Sequence, residues 1–228
     1  MKEEVVDLGL PSGTLWCKYN LDVDPTKLSK VEDWYGKYYA WGELEGNKTN
    51  EKGEIYFEYN YKFGNDYDKL TKYCNDPEYG LKGFTDNLTE LLPEDDAAYQ
   101  NKKFLNFKFH IPTKEQYEEL LKYTKNYWIK NYDPNKAIHN PKGDGGIIGL
   151  NGRVFVGKNG NTLFIPAAGY RTDFGSNFIG SECNLWMSSI NLDDPYDAYY
   201  FCLDSNSEET IISGYRSFGF NIRPIINL

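Results

Sequence analysis

The sequence predicts an α+β fold, with one or two helices followed by a twisted antiparallel sheet in the C-terminal half. Two observations support this prediction. Helical periodicity is confined to the middle of the chain, whereas short apolar runs separated by Asn-Gly turns follow residue 145. Helices that precede a run of hairpin-connected strands are typical of α+β architecture.

The clearest helix is predicted at residues 113–125. Thr113 and Gln116 have the spacing of a capping box, in which each residue satisfies the backbone N–H of the other. Apolar residues then recur at helical spacing. A second, shorter helix is predicted from Pro93 to Tyr99.

Two Asn-Gly pairs predict hairpin turns, because this dipeptide accommodates positive φ angles. Asn151-Gly152 is expected to join strands at 147–150 and 153–156. Asn159-Gly160 is expected to join the second of these to a strand at 162–165. Further strands are predicted near residues 184–189, 198–203, 209–213 and 218–225.

The domain organisation is predicted to be simple. No low-complexity linker divides the chain, so we expect one domain over residues 1–228. Residues 43–80 are polar and Tyr-rich, with Gly and Asn scattered among them. This segment is predicted to be a loop-rich insertion.

The charge pattern argues against nucleic acid as a partner. The 25 Lys and Arg residues are interspersed with 34 Asp and Glu residues, and the net charge is −9. Phosphate binding requires clustered basic residues, which the sequence lacks. It also has neither a run of 18 apolar residues nor the N-terminal pattern of a secretory signal, so membrane insertion is not expected.

Residues suited to catalysis or metal binding are few. The two histidines are His110 and His139, and no Gly-x-Ser-x-Gly motif is present. The cysteines have neither a CxxC pair nor zinc-site spacing, and free thiols are favoured over two disulfides. We therefore expect no enzymatic activity, metal or cofactor. The cysteines are Cys17, Cys74, Cys183 and Cys202.

Asp95-Asp96 allows two interpretations. Adjacent carboxylates can bind calcium, which prefers oxygen ligands. They can also accept hydrogen bonds from backbone amides at a helix N-terminus. The second interpretation is favoured.

Seven phrases, in this order, make the chain similar to the Fibrobacter succinogenes major paralogous domain family, which is abundant in Bacteroidetes and their phages. The resemblance runs from about residue 6 to residue 226. The phrases are Val6–Trp16, Tyr38–Glu43, Asp95–Ala98, Ile111–Glu115, Ile165–Arg171, Leu185–Ser189 and Gly219–Ile225.

The resemblance implies a C-type-lectin-like fold, in the variant shared with formylglycine-generating enzyme and the variable proteins of diversity-generating retroelements. It implies surface display and ligand binding. The Glu-Pro-Asn and Gln-Pro-Asp signatures of calcium-dependent sugar binding are absent. Phe109-His110 stands where the family usually has Trp-Arg, which is expected to change packing only.

Four residues in the family phrases are assigned mainly to the core. Trp16, Trp41 and Trp186 are expected to be buried, with sugar stacking as the alternative. Arg223 is expected to pair with a buried carboxylate, for which Asp7 and Glu43 are candidates, or with backbone carbonyls.

Ligand binding is predicted in two loops, because the fold implied by the resemblance supports irregular loops on a rigid C-terminal sheet. The loops span residues 172–181 and 190–196. Their Asn and Asp residues offer hydrogen bonds and their rings offer stacking area, although Asn and Asp also form turns. The candidate residues are Asp173, Phe174, Asn177, Phe178, Asn191, Asp193, Asp194 and Tyr196.

Three functions remain open from the sequence. The first is a non-enzymatic adhesion or receptor-binding module on a virion or cell surface, which binds a host-surface glycan or protein. The second is a structural assembly protein, such as a capsid, collar or tail decoration protein, which contacts other virion proteins or forms a homo-oligomer. The third and least favoured is an oxidase similar to formylglycine-generating enzyme, which requires a reactive cysteine pair.

Overall fold

The α+β class is confirmed in the computed structural model, which describes residues 4–48, 61–64, 69–101, 108–136, 145–206 and 209–227. Most of the regular structure is antiparallel sheet, accompanied by few helices. The helices are α1 (Ala97–Gln100) and α2 (Lys114–Tyr123). The strands are β1 (Val5–Asp7), β2 (Leu15–Cys17), β3 (Lys125–Ile129), β4 (Gly152–Val156), β5 (Thr162–Pro166), β6 (Tyr170–Thr172), β7 (Gly175–Asn177), β8 (Glu182–Ile190), β9 (Asp197–Asp204), β10 (Glu209–Tyr215) and β11 (Ile225–Ile226).

The helix predicted at 113–125 is confirmed as α2, and the one predicted at 93–99 is confirmed in part. The Thr113 hydroxyl accepts a hydrogen bond from the Gln116 amide at 3.4 Å, and the Gln116 side chain accepts one from the Thr113 amide at 2.8 Å. This reciprocal capping box starts α2 at the predicted position. The predicted helix at 93–99 is a 3-10 turn at Pro93–Asp95 followed by α1.

Strands β8, β9 and β10 form the central sheet, in the order β10-β9-β8. β3, β4 and β5 form a second three-stranded sheet, and β6 pairs with β7. The last strand, β11, pairs with β2, with Ile225 opposite Trp16. The C-terminal segment therefore closes on the N-terminal strands.

One of the two predicted Asn-Gly hairpins is confirmed. Asn159-Gly160 lies in the turn between β4 and β5, where Gly160 has a φ of 84°. The hairpin predicted at Asn151-Gly152 is wrong, because residues 147–150 form a turn and not a strand. Gly149 has a φ of 84° there, and its amide donates to the Asn131 side chain at 2.8 Å.

The strand predicted at 218–225 is largely wrong. Phe220 forms an isolated bridge with Tyr39, and Asn221 forms one with Leu185, before β11 begins at Ile225. The segment thus changes pairing partners along its length, which prevents a continuous ladder. Of the predicted insertion at 43–80, residues 49–60 and 65–68 lie outside the described residues, and its described part contains no strand or helix.

Two hydrophobic cores lie on opposite faces of the central sheet. Trp186 and Tyr200 are paired across β8 and β9 and belong to the first core, together with Trp41. Leu185 and Phe201 are the next pair and face the second core, which also contains Trp16 and Tyr117. All three predicted core tryptophans are fully buried; they are Trp16, Trp41 and Trp186.

Arg223 is fully buried and bonds to neutral oxygens. Its guanidinium donates to the Asn20 side chain at 2.9 Å and to the carbonyls of Cys17 and Lys18 at 3.0 and 2.6 Å. Of the two partners considered from the sequence, the carbonyls are correct. Burial lowers the pKa of Arg223 to about 10. The residue joins the C-terminal segment to the β2 region.

Candidate functional site

The first predicted loop is built on the β6–β7 hairpin. Asp173 and Phe174 form its two-residue turn, and the Phe174 side chain is 91% exposed. Asn177 ends β7 and donates to the Gly175 carbonyl at 3.4 Å, within the hairpin. Phe178 follows and is 55% exposed. The hairpin therefore presents two phenylalanine rings to solvent.

The second predicted loop connects β8 to β9, and its polar side chains shape it. The Asn191 side chain accepts a hydrogen bond from the Asp193 amide at 3.1 Å and donates to the Ser213 hydroxyl at 3.2 Å. The Asp194 carboxylate accepts one from the Tyr196 amide at 3.2 Å. Asn191 and Asp194 thus form turns, as in the alternative considered from the sequence. Asp193 itself is exposed.

A row of five rings joins the two loops, and we call it the aromatic strip. It consists of Phe178, Tyr170, Phe218, Tyr215 and Tyr196. The distances between successive ring centroids are 5.9, 5.8, 5.2 and 5.3 Å. These spacings fall in the range of favourable aromatic pairs. The structure therefore connects two predicted site residues from different loops through three rings.

The three connecting residues were not predicted from the sequence. Tyr170 begins β6 and is half-buried, while Tyr215 ends β10 and is 51% exposed. Phe218 lies in the turn after β10. An aromatic composition of 17% gave no means of singling them out, since 20 tyrosines are present. Their proximity arises from the pairing of distant strands.

The strip rests on the first core. Phe220 is buried beneath it, with its ring centroid 5.5 Å from Tyr170 and 6.3 Å from Phe218. Phe220 also packs on Trp186, with ring centroids 4.3 Å apart. A surface supported in this way is preorganised, which reduces the entropy lost when a partner binds.

Exposed apolar side chains occur in the segments that carry the strip. Ile179 follows Phe178, Leu192 lies in the β8–β9 loop, and Ile212 is on β10. Together with Phe174 and Tyr215, these residues are five of the ten large apolar side chains that are exposed among the described residues. Grouped exposed apolar groups indicate an interaction surface more strongly than isolated ones.

Phe178 has an unusual backbone conformation, with a φ of 55°. This left-handed region is unfavourable for a residue with a Cβ atom by roughly 1–2 kcal/mol. The neighbouring Gly169 has a reason to be glycine, because a Cβ there would lie 2.0 Å from the Asn177 carbonyl oxygen. Strained, exposed aromatic residues are candidates for function.

We expect the variant Phe178→Gly to be more stable than Phe178→Ala by about 1 kcal/mol, because glycine adopts positive φ without strain. Both variants remove the same ring contact with Tyr170. The difference between their free energies of unfolding therefore measures the cost of the positive φ angle at position 178. Urea denaturation measures it. Equal stabilities, or a more stable alanine variant, would show that the loop imposes no such strain.

Asp95 and Asp96 take part in protein contacts. Asp95 accepts hydrogen bonds from Lys62 at 2.7 Å, Lys72 at 2.6 Å and the Tyr73 hydroxyl at 2.6 Å. Burial raises the pKa of Asp95, but these three donors outweigh it and lower the pKa overall. Two ammonium groups on one carboxylate oppose the binding of a cation there.

Asp96 has the role favoured from the sequence. Its carboxylate accepts hydrogen bonds from the amides of Ala98 and Tyr99 at the start of α1, at 2.8 and 3.0 Å. Its other oxygen accepts one from the Ile111 amide at 2.8 Å. Within the described parts of the chain, no group of three or more His, Cys, Asp or Glu side chains is arranged to hold a metal ion.

We expect EDTA to leave the melting temperature unchanged, because the Asp95 and Asp96 carboxylates already bond to ammonium groups and amides. Differential scanning calorimetry with and without EDTA, followed by CaCl₂ addition, checks this. A fall of several degrees in EDTA that calcium restores would demonstrate a structural ion.

The four cysteines are free thiols. Cys183 pairs with Leu203 across β8 and β9, while Cys202 pairs with Asn184, so the two thiols point to opposite faces of the central sheet. Burial raises the pKa of Cys202 to about 12 and that of Cys183 still further. Neither thiol has the stabilised thiolate of a reactive cysteine.

Comparison of the chain with protein-family models, curated proteins and solved structures gave no match. In the described residues, no helix has the length and apolar character needed to cross a membrane.

Proposed function

We propose that this protein is a non-enzymatic recognition module that binds a protein partner through the aromatic strip. The observation behind the proposal is that Phe178 and Tyr196, from two loops predicted to bind ligand, are the ends of one continuous row of rings. Display on a virion or a bacterial surface is part of the proposal, in line with the family resemblance.

A C-type-lectin-like fold is proposed with it. Three features support this fold. A capped helix precedes the strands of the central sheet, that sheet is three-stranded and antiparallel in the C-terminal half, and an N-terminal strand pairs with a C-terminal one, β2 with β11. In such an arrangement the sheet is rigid and the loops at its margin are free to vary.

The chemistry of the surface favours a protein over a glycan. Phe174, Phe178 and Leu192 have no polar side-chain atoms, and such residues gain energy by packing into apolar pockets of a partner. Sugar hydroxyls require directional hydrogen bonds. The Asn191 and Asp194 side chains, which were predicted to provide them, already have protein partners. Asn191 bonds to the Asp193 amide and the Ser213 hydroxyl, and Asp194 bonds to the Tyr196 amide.

The experiment uses two ligand collections. The protein is probed on a printed glycan array, and a displayed random peptide library is selected against it. We expect selected peptides rich in apolar residues, and a blank glycan array. Strong binding to one class of glycan that is lost when the strip is mutated would show that the partner is a glycan and not a protein.

The dependence on the exposed rings of the strip, and on Phe174 in the hairpin turn beside it, is tested with a triple variant, Phe174→Ser, Phe178→Ser and Tyr215→Ser. All three side chains are exposed, so the fold should survive. The matched control is Ile148→Ser, which alters a residue that is 88% exposed but outside the two loops. Peptides should bind the control and not the triple variant. Equal binding by both would refute the proposed surface.

A further inference from the structure

The edge of the central sheet suggests a second interaction surface, which does not depend on the proposed function. β10 is an outer strand, and it pairs with β9 along its full length from Glu209 opposite Leu203 to Tyr215 opposite Asp197. No described residue pairs with its other side. Among the described residues, the backbone N–H and C=O groups on that side have no backbone partner, and an unpaired strand edge can accept another strand.

The edge lacks the features that usually prevent strand addition. The sequence of β10 is Glu-Thr-Ile-Ile-Ser-Gly-Tyr, which contains no Lys or Pro. Its register with β9 continues without a bulge, in contrast to the irregularity between Trp186 and Ile190 in the pairing of β8 and β9. Ile212, at its centre, is 39% exposed. Unprotected edges of this length are templates for pairing with another chain.

We propose that β10 pairs antiparallel with β10 of a second copy, about a two-fold axis at Ile212. The central sheets of both copies then join into one sheet of six strands. A two-fold interface requires a self-complementary surface. In this register Glu209, the only charged residue of the strand, lies opposite the partner's Tyr215, so no like charges face each other.

The register has a consequence for recognition, if the proposed function also holds. The Tyr215 residue of each copy lies at opposite ends of the paired strands, roughly 20 Å apart for six residues of antiparallel strand. The dimer would present two aromatic strips and bind a multivalent surface more tightly than one copy does.

Cross-linking tests the register directly. In the variant Ile212→Cys, the two new thiols face each other across the axis. Cα atoms of directly opposed antiparallel residues are about 4.5–5.5 Å apart, which a disulfide can span. We expect rapid covalent dimerisation with oxidised glutathione. The variant Ile148→Cys, with an exposed thiol away from β10, measures the rate of cross-linking by random collision. The parent chain shows how much cross-linking its own four cysteines produce.

Charge at the axis provides the second test. Ile212→Lys places two ammonium groups opposite each other, so we expect a monomer in sedimentation velocity at concentrations where the parent chain and Ile148→Lys are dimers. Salt should strengthen the parent dimer, because each copy carries a net charge of −9 and screening reduces their repulsion. Retained secondary structure in circular dichroism shows that the variant is folded.

Three results would overturn the proposal. The first is a parent chain that stays monomeric from about 1 µM to about 1 mM, the range that covers weak specific association. The second is cross-linking of Ile212→Cys no faster than of Ile148→Cys. The third is a dimer unaffected by Ile212→Lys. Failure of these tests would leave peptide binding by the aromatic strip intact, so the two proposals fail separately.

Discussion

Deletion of residues 219–228 is expected to abolish soluble folding. The deleted segment contributes Phe220 and Ile222 to the first core and Ile225 to the second. It also supplies β11, which pairs with β2. Its removal would uncover both cores at once, and a loss of this size exceeds the total stability of a typical domain.

The loss of Arg223 adds to this effect. The carbonyls of Cys17 and Lys18 and the side chain of Asn20 would lose their donor in a buried environment. Expression, solubility and thermal denaturation of the truncated chain measure the result. The control deletes only residues 227–228, beyond β11, and should remain folded. A sharp thermal transition in the longer truncation would contradict the role assigned to the C-terminal segment.

The substitution Trp186→Ala is expected to lower the free energy of unfolding by about 3–5 kcal/mol, the usual range for removing a large buried aromatic residue. Trp186 is fully buried on β8, where its ring packs on Phe220 and Tyr200. Its indole N–H donates to the Tyr39 carbonyl at 2.6 Å. Alanine would leave a cavity, and the Tyr39 carbonyl would keep only its hydrogen bond from the Phe220 amide at 3.0 Å.

Urea denaturation of Trp186→Ala and Trp186→Phe provides the measurement. Phenylalanine keeps much of the packing but not the donor, so its loss should be smaller than that of alanine. If Trp186→Ala were as stable as the parent chain but no longer bound selected peptides, Trp186 would belong to the binding surface and not to the core.

Local signals explain which elements could be predicted from the sequence. The capping box of Thr113 and Gln116 involves residues three apart in the sequence, and the hairpin turn at Asn159-Gly160 depends only on the two strands that flank it. Both features were therefore predicted correctly. By contrast, β1 and β2 have three residues each, and β2 is completed by β11 some 210 residues later in the chain. Such strands have no periodicity of their own to detect.

The error at Asn151-Gly152 has a similar origin. Asn151 bonds to distant backbone groups: its side chain accepts from the Asn131 amide at 3.2 Å and donates to the Gly180 carbonyl at 3.1 Å. The dipeptide therefore stabilises a junction between segments, where its local preference alone indicated a hairpin. Tertiary hydrogen bonds of this kind override local turn preference.

The candidate site was predictable only in part. The sequence predicted both loops in which the ends of the proposed strip lie, with Phe178 and Tyr196 among their residues. It could not distinguish Asn191 and Asp194 as loop-forming residues, because that role depends on where Ser213 and the Tyr196 amide lie. Tyr170, Tyr215 and Phe218 join the strip through strand pairing, which no local pattern encodes.

The affinity of a selected peptide tests the central claim most directly. Isothermal titration of one such peptide is carried out against the parent chain, the control Ile148→Ser and the triple variant Phe174→Ser, Phe178→Ser and Tyr215→Ser. We expect the control to match the parent chain. The triple variant should lose at least roughly 2 kcal/mol, about 30-fold in Kd, as when central apolar residues of an interface are removed. An unchanged Kd in a folded triple variant would contradict recognition by the aromatic strip.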